Sequence, residues 1–169
     1  MKVFSNTLLD EMAAQATASA RGRAHHNIHA SPGDLVQRFL VVADRRTYFR
    51  PHRHLVKSEL ATLLRGSFDI LLFDGDGVVT ARHSLGGPSG GSAPAFAYEL
   101  PCATWHTLIA QADGSSFLEV KEGPYDPTSA AEFASWAPAE GDASVPAFHA
   151  WLSTAKVGDR AADHAAVAR

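Results

Sequence analysis

The stretch Pro51-His52-Arg53-His54-Leu55-Val56-Lys57-Ser58-Glu59 holds side chains whose types and spacing can do chemistry. His52 and His54 stand two apart, so on an extended chain both imidazoles project from one face and can converge on a single ion. Glu59 lies at an odd offset that would point it to the opposite face of a straight strand. It joins the pair only if the chain turns between 55 and 58 and begins a new strand there. His106, in Thr104-Trp105-His106-Thr107-Leu108, belongs to a later strand and would complete three nitrogens and one oxygen around one divalent metal. Such a set leaves positions for water or substrate, and it accepts iron, zinc, nickel or manganese without choosing among them. Histidines merely hydrogen-bonded inside a barrel are the competing reading, which the joint spacing disfavours. Glu59 has a second possible role, as a base or a substrate contact.

The elements that must position these residues are short. Leu8, Leu9, Met12 and Ala16 fall at helical spacing in an alanine-rich stretch, which predicts an N-terminal helix ending near residue 20. From residue 35 the pattern becomes runs of Val, Phe, Leu and Tyr broken by Gly, Asp and Pro: 35–43, 46–51, 59–65, 67–74, 77–83, 96–100, 104–112 and 115–122. Arg65-Gly66-Ser67, Asp74-Gly75-Asp76-Gly77 and Asp113-Gly114 read as hairpin turns. With no helical stretch between the runs for parallel crossovers, the expectation is antiparallel pairing in a sandwich or closed barrel. Gly86 to Pro94 reads as a mobile loop, 129–137 as a short helix, and Phe148, Trp151 and Leu152 as part of another. The expected organisation is a helix over 1–20, a barrel over 21–125, a helical cap over 126–156 and a tail, frayed, over 157–169.

Composition narrows the function classes. The chain has 169 residues, 15 Lys plus Arg against 18 Asp plus Glu, 46% hydrophobic and 20% charged residues, the proportions of an ordinary folded protein. A net charge of −3 gives no electrostatic footprint for nucleic acid. The single cysteine, Cys102, excludes an internal disulfide and an all-cysteine zinc site. Asp10 and Glu11 interrupt the stretch a signal peptide would need, and no apolar run approaches the roughly 20 residues of a membrane span. A cytoplasmic protein is the expectation, with no membrane partner.

Beyond spacing, the residues resemble a family. His52-x-His54, Glu59 and Gly66 match the first metal motif of the cupin superfamily, and Pro101 to His106 match the core of the second. Arg23 to His29, Gln37-Arg38, Tyr48 to His54, Trp105-His106-Thr107, Glu119 to Tyr125 and Phe133 to Glu140 narrow the likeness to the WbuC-type cupin metalloproteins of bacterial surface-polysaccharide gene clusters. The resemblance implies a mainly β double-stranded β-helix, a jelly roll of about six to eight strands, with a metal inside. It also implies a homodimer. The chain departs from the cupin pattern at Arg46 and Ala103, where the pattern has glycine, and at Ala110, where it has asparagine; the loop geometry around His106 is what these changes touch.

Arg21, Arg23, His25, Asn27 and His29 fall at alternate positions, a polar stripe that would line a pocket on one face of an extended segment. Arg23, Asn27, Arg50, Arg53 and Lys57 are candidate holders of a phosphate, sulfate or carboxylate, with Gln37, Arg38 and Tyr48 as further wall candidates. Lys121 would form either a buried pair with Glu119 or a pocket contact. Asp74 and Asp76 read as turn residues, and His83, His149 and His164 as structural or surface ones. The first functional expectation is therefore an enzyme acting on a small anionic sugar or nucleotide-sugar, with Glu59, His25 and His29 as acid/base candidates. An iron-dependent dioxygenase and a non-catalytic ligand-binding module are the alternatives.

Overall fold

A computed structural model describes residues 1–88 and 95–165. The outer part of the expected loop, 89–94, and the end of the expected tail, 166–169, lie outside them. The elements are α1 (Asn6–Ala18), β1 (Arg23–Asn27), β2 (Val36–Ala43), β3 (His52–Arg53), β4 (Glu59–Arg65), β5 (Ser67–Phe73), β6 (Val79–Gly86), β7 (Ala97–Leu100), β8 (Trp105–Ala110), β9 (Ser115–Glu122), β10 (Glu132–Phe133), α2 (Val145–Thr154) and α3 (Ala162–Ala165).

The strands form two five-stranded antiparallel sheets, ordered β1-β2-β9-β4-β7 and β10-β3-β8-β5-β6. This is the jelly roll. Alternate residues of both sheets point inward: Val41, Leu63, Phe68, Ile70, Leu108 and Phe117 fill one end of the space between them. The opposite faces are also clad. Leu9, Met12 and Ala16 of α1 pack on Leu40 and Val42 of the first sheet. Phe148, Trp151 and Leu152 of α2 cover Leu71, Phe73, Trp105 and Ile109 of the second. Strands covered on both faces lose the polar half of the alternation, which is why β8 is buried from end to end.

Local chemistry sets the joints. Ser5 caps α1 by accepting the Leu8 N–H, and at the other end Arg46 donates to the Thr17 and Ser19 carbonyls, each at 2.8 Å. Arg46 thus stands where the cupin pattern has glycine because it closes a helix end. Gly66 turns β4 into β5 at φ +70°, and a Cβ there would collide with Ser115. Ala103 takes the left-handed conformation itself, at φ 62°.

Three expectations are corrected. Residues 46–51 are not a strand: the chain is crossing from one sheet to the other, pinned by the Thr47 hydroxyl on the Gly22 carbonyl (2.6 Å), and pairs only at His52–Arg53. No helix forms over 129–137, because Glu132 and Phe133 pair with β3 as an edge strand. The region after 157 is tied down by Val79 N–H to Asp159 O (2.9 Å) and Gly158 N–H to Val79 O (2.8 Å), with Ala161 fully buried.

Candidate metal centre and anion cavity

The turn required between His54 and Glu59 is present, and it carries the chain from the second sheet to the first. His52 on β3 and His106 on β8 are direct cross-strand partners, His54 follows β3, and Glu59 opens β4 on the facing sheet. One candidate ligand atom from each lies within 4.8 Å of all the others. The Glu59 Oε2 stands 3.0 Å from His54 Nε2, and its Oε1 is 3.7 Å from His106 Nε2.

Each imidazole is oriented through its other nitrogen. His52 Nδ1 faces the Arg50 carbonyl at 2.9 Å, His54 Nδ1 that of Ala130 at 2.5 Å, and His106 Nδ1 that of Thr104 at 2.9 Å. A backbone carbonyl requires a proton on Nδ1, which on His52 and His106 leaves Nε2 as a lone-pair donor turned to the centre, the arrangement that fixes metal-ligating histidines, while His54 Nε2 faces both the Glu59 carboxylate and the Lys121 ammonium. Burial, with the neighbouring His106, holds His52 down to about 3, and burial also lowers His106. Both are neutral ligands at ordinary pH. The donor set and the locked tautomers fit a divalent metal.

A buried network surrounds Glu59. Tyr98 donates to its Oε1 at 2.8 Å, and Lys121 Nζ lies 3.1 Å from its Oε2 and 3.1 Å from His54 Nε2. Lys121 also pairs with Glu119. Burial opposes ionisation of Glu59, but the Lys121 charge and the surrounding imidazoles hold its carboxyl well below the usual range. Glu119 is pushed up to about 8 by burial and by the Glu59 charge. The Glu119–Lys121 pairing and the pocket contact, alternatives in sequence, coexist: β9 places both side chains inward beside the cluster.

The four residues form the floor of a cavity of about 370 Å³. Arg23, His25, Gln37, Arg50, Lys57, Glu59 and Lys121 line it, with Phe39, Phe49 and Phe133 as its apolar wall. Desolvation at this wall, and the charges of Arg21 and Lys121, lower His25. Asn27, His29, Arg38, Tyr48 and Arg53 stand elsewhere, Arg53 paired with Glu132 at 2.8 Å and stacked over Trp105. The strand ends at Asn27, so the stripe's phase is lost: His29 Nδ1 pairs with Arg38 backbone. Arg38 points outward beside Asp34, and Tyr48 is a core residue whose hydroxyl donates to Pro138 O at 3.0 Å. Tyr98, which donates to Glu59, and the wall residues Phe133 and Glu140 carry no site role in the sequence reading. Only the pairing of β7 with β4 and of β10 with β3 brings the first two here.

Fold and cluster together define the class, a cupin-type jelly roll with a His₃Glu cluster able to hold a metal. A family model described as a domain of unknown function (DUF6016) matches residues 4–85. No curated protein matches. Among solved structures, a protein of Shewanella oneidensis superposes with TM-score 0.53 at 14% identity, covering 70% of this chain and 77% of that one. CapF, solved with the inhibitor 3-isopropenyl-tropolone, gives 0.52 at 14% identity over 64% of this chain and 30% of its own. A cupin-2 domain protein of Shewanella frigidimarina gives 0.45 at 16%, over 59% and 80%. The first two speak to the fold alone. Among the described residues no helix is long and apolar enough to cross a membrane.

Proposed function

We propose that this chain is a metal-dependent enzyme of the WbuC-like cupin kind, acting on a small anionic sugar or the sugar end of a nucleotide-sugar in surface-polysaccharide assembly. The observation that carries the reading is the set of three imidazoles, each with Nδ1 held by a backbone carbonyl, and Glu59 at the floor of a cavity with cationic walls. Arg50 supports the anionic substrate. Its Nη2 donates to the Ala134 carbonyl at 3.0 Å, its buried Nε has no partner, and among the described residues it makes no ion pair. A cavity of about 370 Å³ lies at the small end for ligand sites, so a monosaccharide fits inside while a nucleotide would extend through the mouth.

A bound divalent ion would supply Lewis-acid polarisation of a substrate carbonyl or hydroxyl oxygen. His52, His54, His106 and Glu59 would hold it. Arg23, Arg50 and Lys57 bind the anionic group, Gln37 and the phenylalanines shape the wall, and Lys121 keeps Glu59 ionised. Neutral His25 on the wall is the group placed to take a proton from substrate. A homodimer belongs to this reading: Val36 and Leu60 lie exposed on the outer face of the first sheet.

Elemental analysis of protein purified without added metal tests the core of the proposal. The expected result is about one divalent ion per chain, lost in His52→Ala/His54→Ala; retention in that variant overturns it. Iron with a paramagnetic resonance signal that differs between air and nitrogen would replace Lewis-acid chemistry by an oxygen-dependent reaction.

A further inference from the structure

The mouth of the cavity already holds a carboxylate. Glu140 is gripped side-on by Arg21, Nε to Oε2 at 2.7 Å and Nη2 to Oε1 at 2.8 Å, and Arg23 Nη2 reaches the same Oε1 at 2.7 Å. This two-point planar fork is how guanidinium reads a carboxylate. Glu140 also walls, with Arg21, Arg50 and Phe133, an outer lobe of about 280 Å³ that shares these residues with the main cavity.

The two sides of the fork differ in stiffness. Arg23 is fixed independently of Glu140, by its Nη1 on the Tyr48 carbonyl at 2.8 Å and by stacking over Phe49, and its side chain is only 9% exposed. Glu140 is 35% exposed and stands on a short connection between Pro138, held by the Tyr48 hydroxyl, and α2. Gly141 beside it has open space where a side chain would be. If Glu140 swings out, Arg23 stays in place as a buried cation facing the cavity, a state that favours another anion taking its position.

We propose that Arg21 and Arg23 form a carboxylate subsite at the cavity mouth, that Glu140 is its resident occupant, and that a substrate carboxylate binds by displacing it. This rests on reading the cavity as an anion site and specifies the anion. The consequence is selectivity: an uncharged sugar cannot exchange with Glu140, whereas an acidic one can.

The test is calorimetric titration of succinate into metal-loaded protein. Glu140→Gln, which keeps shape and removes charge, is expected to bind about tenfold more tightly than the parent. Glu140→Asp, which withdraws the charge by one methylene, should fall between them. Glu99→Gln is the control for net charge, because Glu99 is exposed on β7 and lines neither the cavity nor its outer lobe; it should change affinity by less than about twofold. Equal affinity of parent and E140Q, or an equal gain in E99Q, overturns the exchange while leaving the anion cavity standing. A gain for sulfate as large as for succinate overturns the preference for carboxylate. Failure of every variant and the parent to bind either anion overturns both this inference and the anionic reading beneath it.

Discussion

Replacing Lys121 by methionine separates the two cations that can satisfy Glu59. The methionine keeps an apolar stem beside Phe39 but deletes the ammonium that bridges Glu59, His54 and Glu119. The side chains of Glu59 and Glu119 are only 3% and 9% exposed, so two carboxyl groups are left in a dry site without a counter-charge. Breaking a buried pair costs about 3–5 kcal/mol, and the partial exposure of Lys121, 18%, places the expected loss near the lower figure, about 3 kcal/mol. For a chain of this length that is a fall of roughly 6–12 °C in Tm. The loss is conditional. A divalent ion on the cluster restores positive charge at Glu59, so saturating zinc should recover most of it, and Glu119→Gln in the same chain should recover part without metal. Scanning calorimetry of each protein in chelator, and of the parent and the Lys121 variant in zinc, measures every state compared. A loss below about 1 kcal/mol in chelator, or one equally large with and without zinc, would refute the argument that Lys121 stands in for cationic charge at this cluster.

Other perturbations follow from features described above. His25, His52, His106 and His149 are all lowered, chiefly by burial, so the unfolded chain binds protons near pH 6.5 that the folded chain refuses. The histidine contribution to metal-free stability is therefore fully present above that pH and falls as pH drops through it; Glu119, raised to about 8, works the other way. A urea midpoint no lower at pH 5 than at pH 7.5 contradicts this. Ala103→Gly relieves a left-handed backbone and should stabilise by about 0.5–1 kcal/mol, net of glycine's entropy, read as a rise in urea midpoint. Arg46→Ala removes donors from the last carbonyls of α1 and should cost about 1 kcal/mol, read by helical circular dichroism against urea.

What could be read in advance was whatever depended on local spacing. His52 and His54 announce a shared face by lying two apart, and Glu59 can meet them only through a turn, which the chain makes. The hairpin at Gly66 and the helix around Phe148 are equally local. What depended on the other sheet stayed hidden. Residues 46–51 have strand composition but are spent on a crossing, while 132–133 have none and still pair because β3 offers an edge. Asn27 and His29 continue the stripe in sequence, yet β1 stops at Asn27 and the phase does not survive. Tyr98 carries no motif of its own and reaches Glu59 only through the pairing of β7 with β4, and Glu140 ends a stretch whose place at the cavity depends on the return of the chain after β10.

β8 is covered on both faces: Trp105 and Ile109 lie under α2, and Leu108 and Ala110 face the space between the sheets. His106 is thus carried by a strand that can open only when the whole molecule opens, and its neighbouring amides should be among the slowest to exchange with deuterated water. His54 is tied as well, its carbonyl accepting from Ala103 N–H at 2.7 Å and its Nδ1 donating to Ala130, but the residues that follow it, Leu55 and Val56, are 51% and 70% exposed. The cluster is thus gripped on both sides, and the bend after His54 is the part of the chain beside it that lies open to water. Residues 55–57 are therefore where exchange should slow when an ion is added.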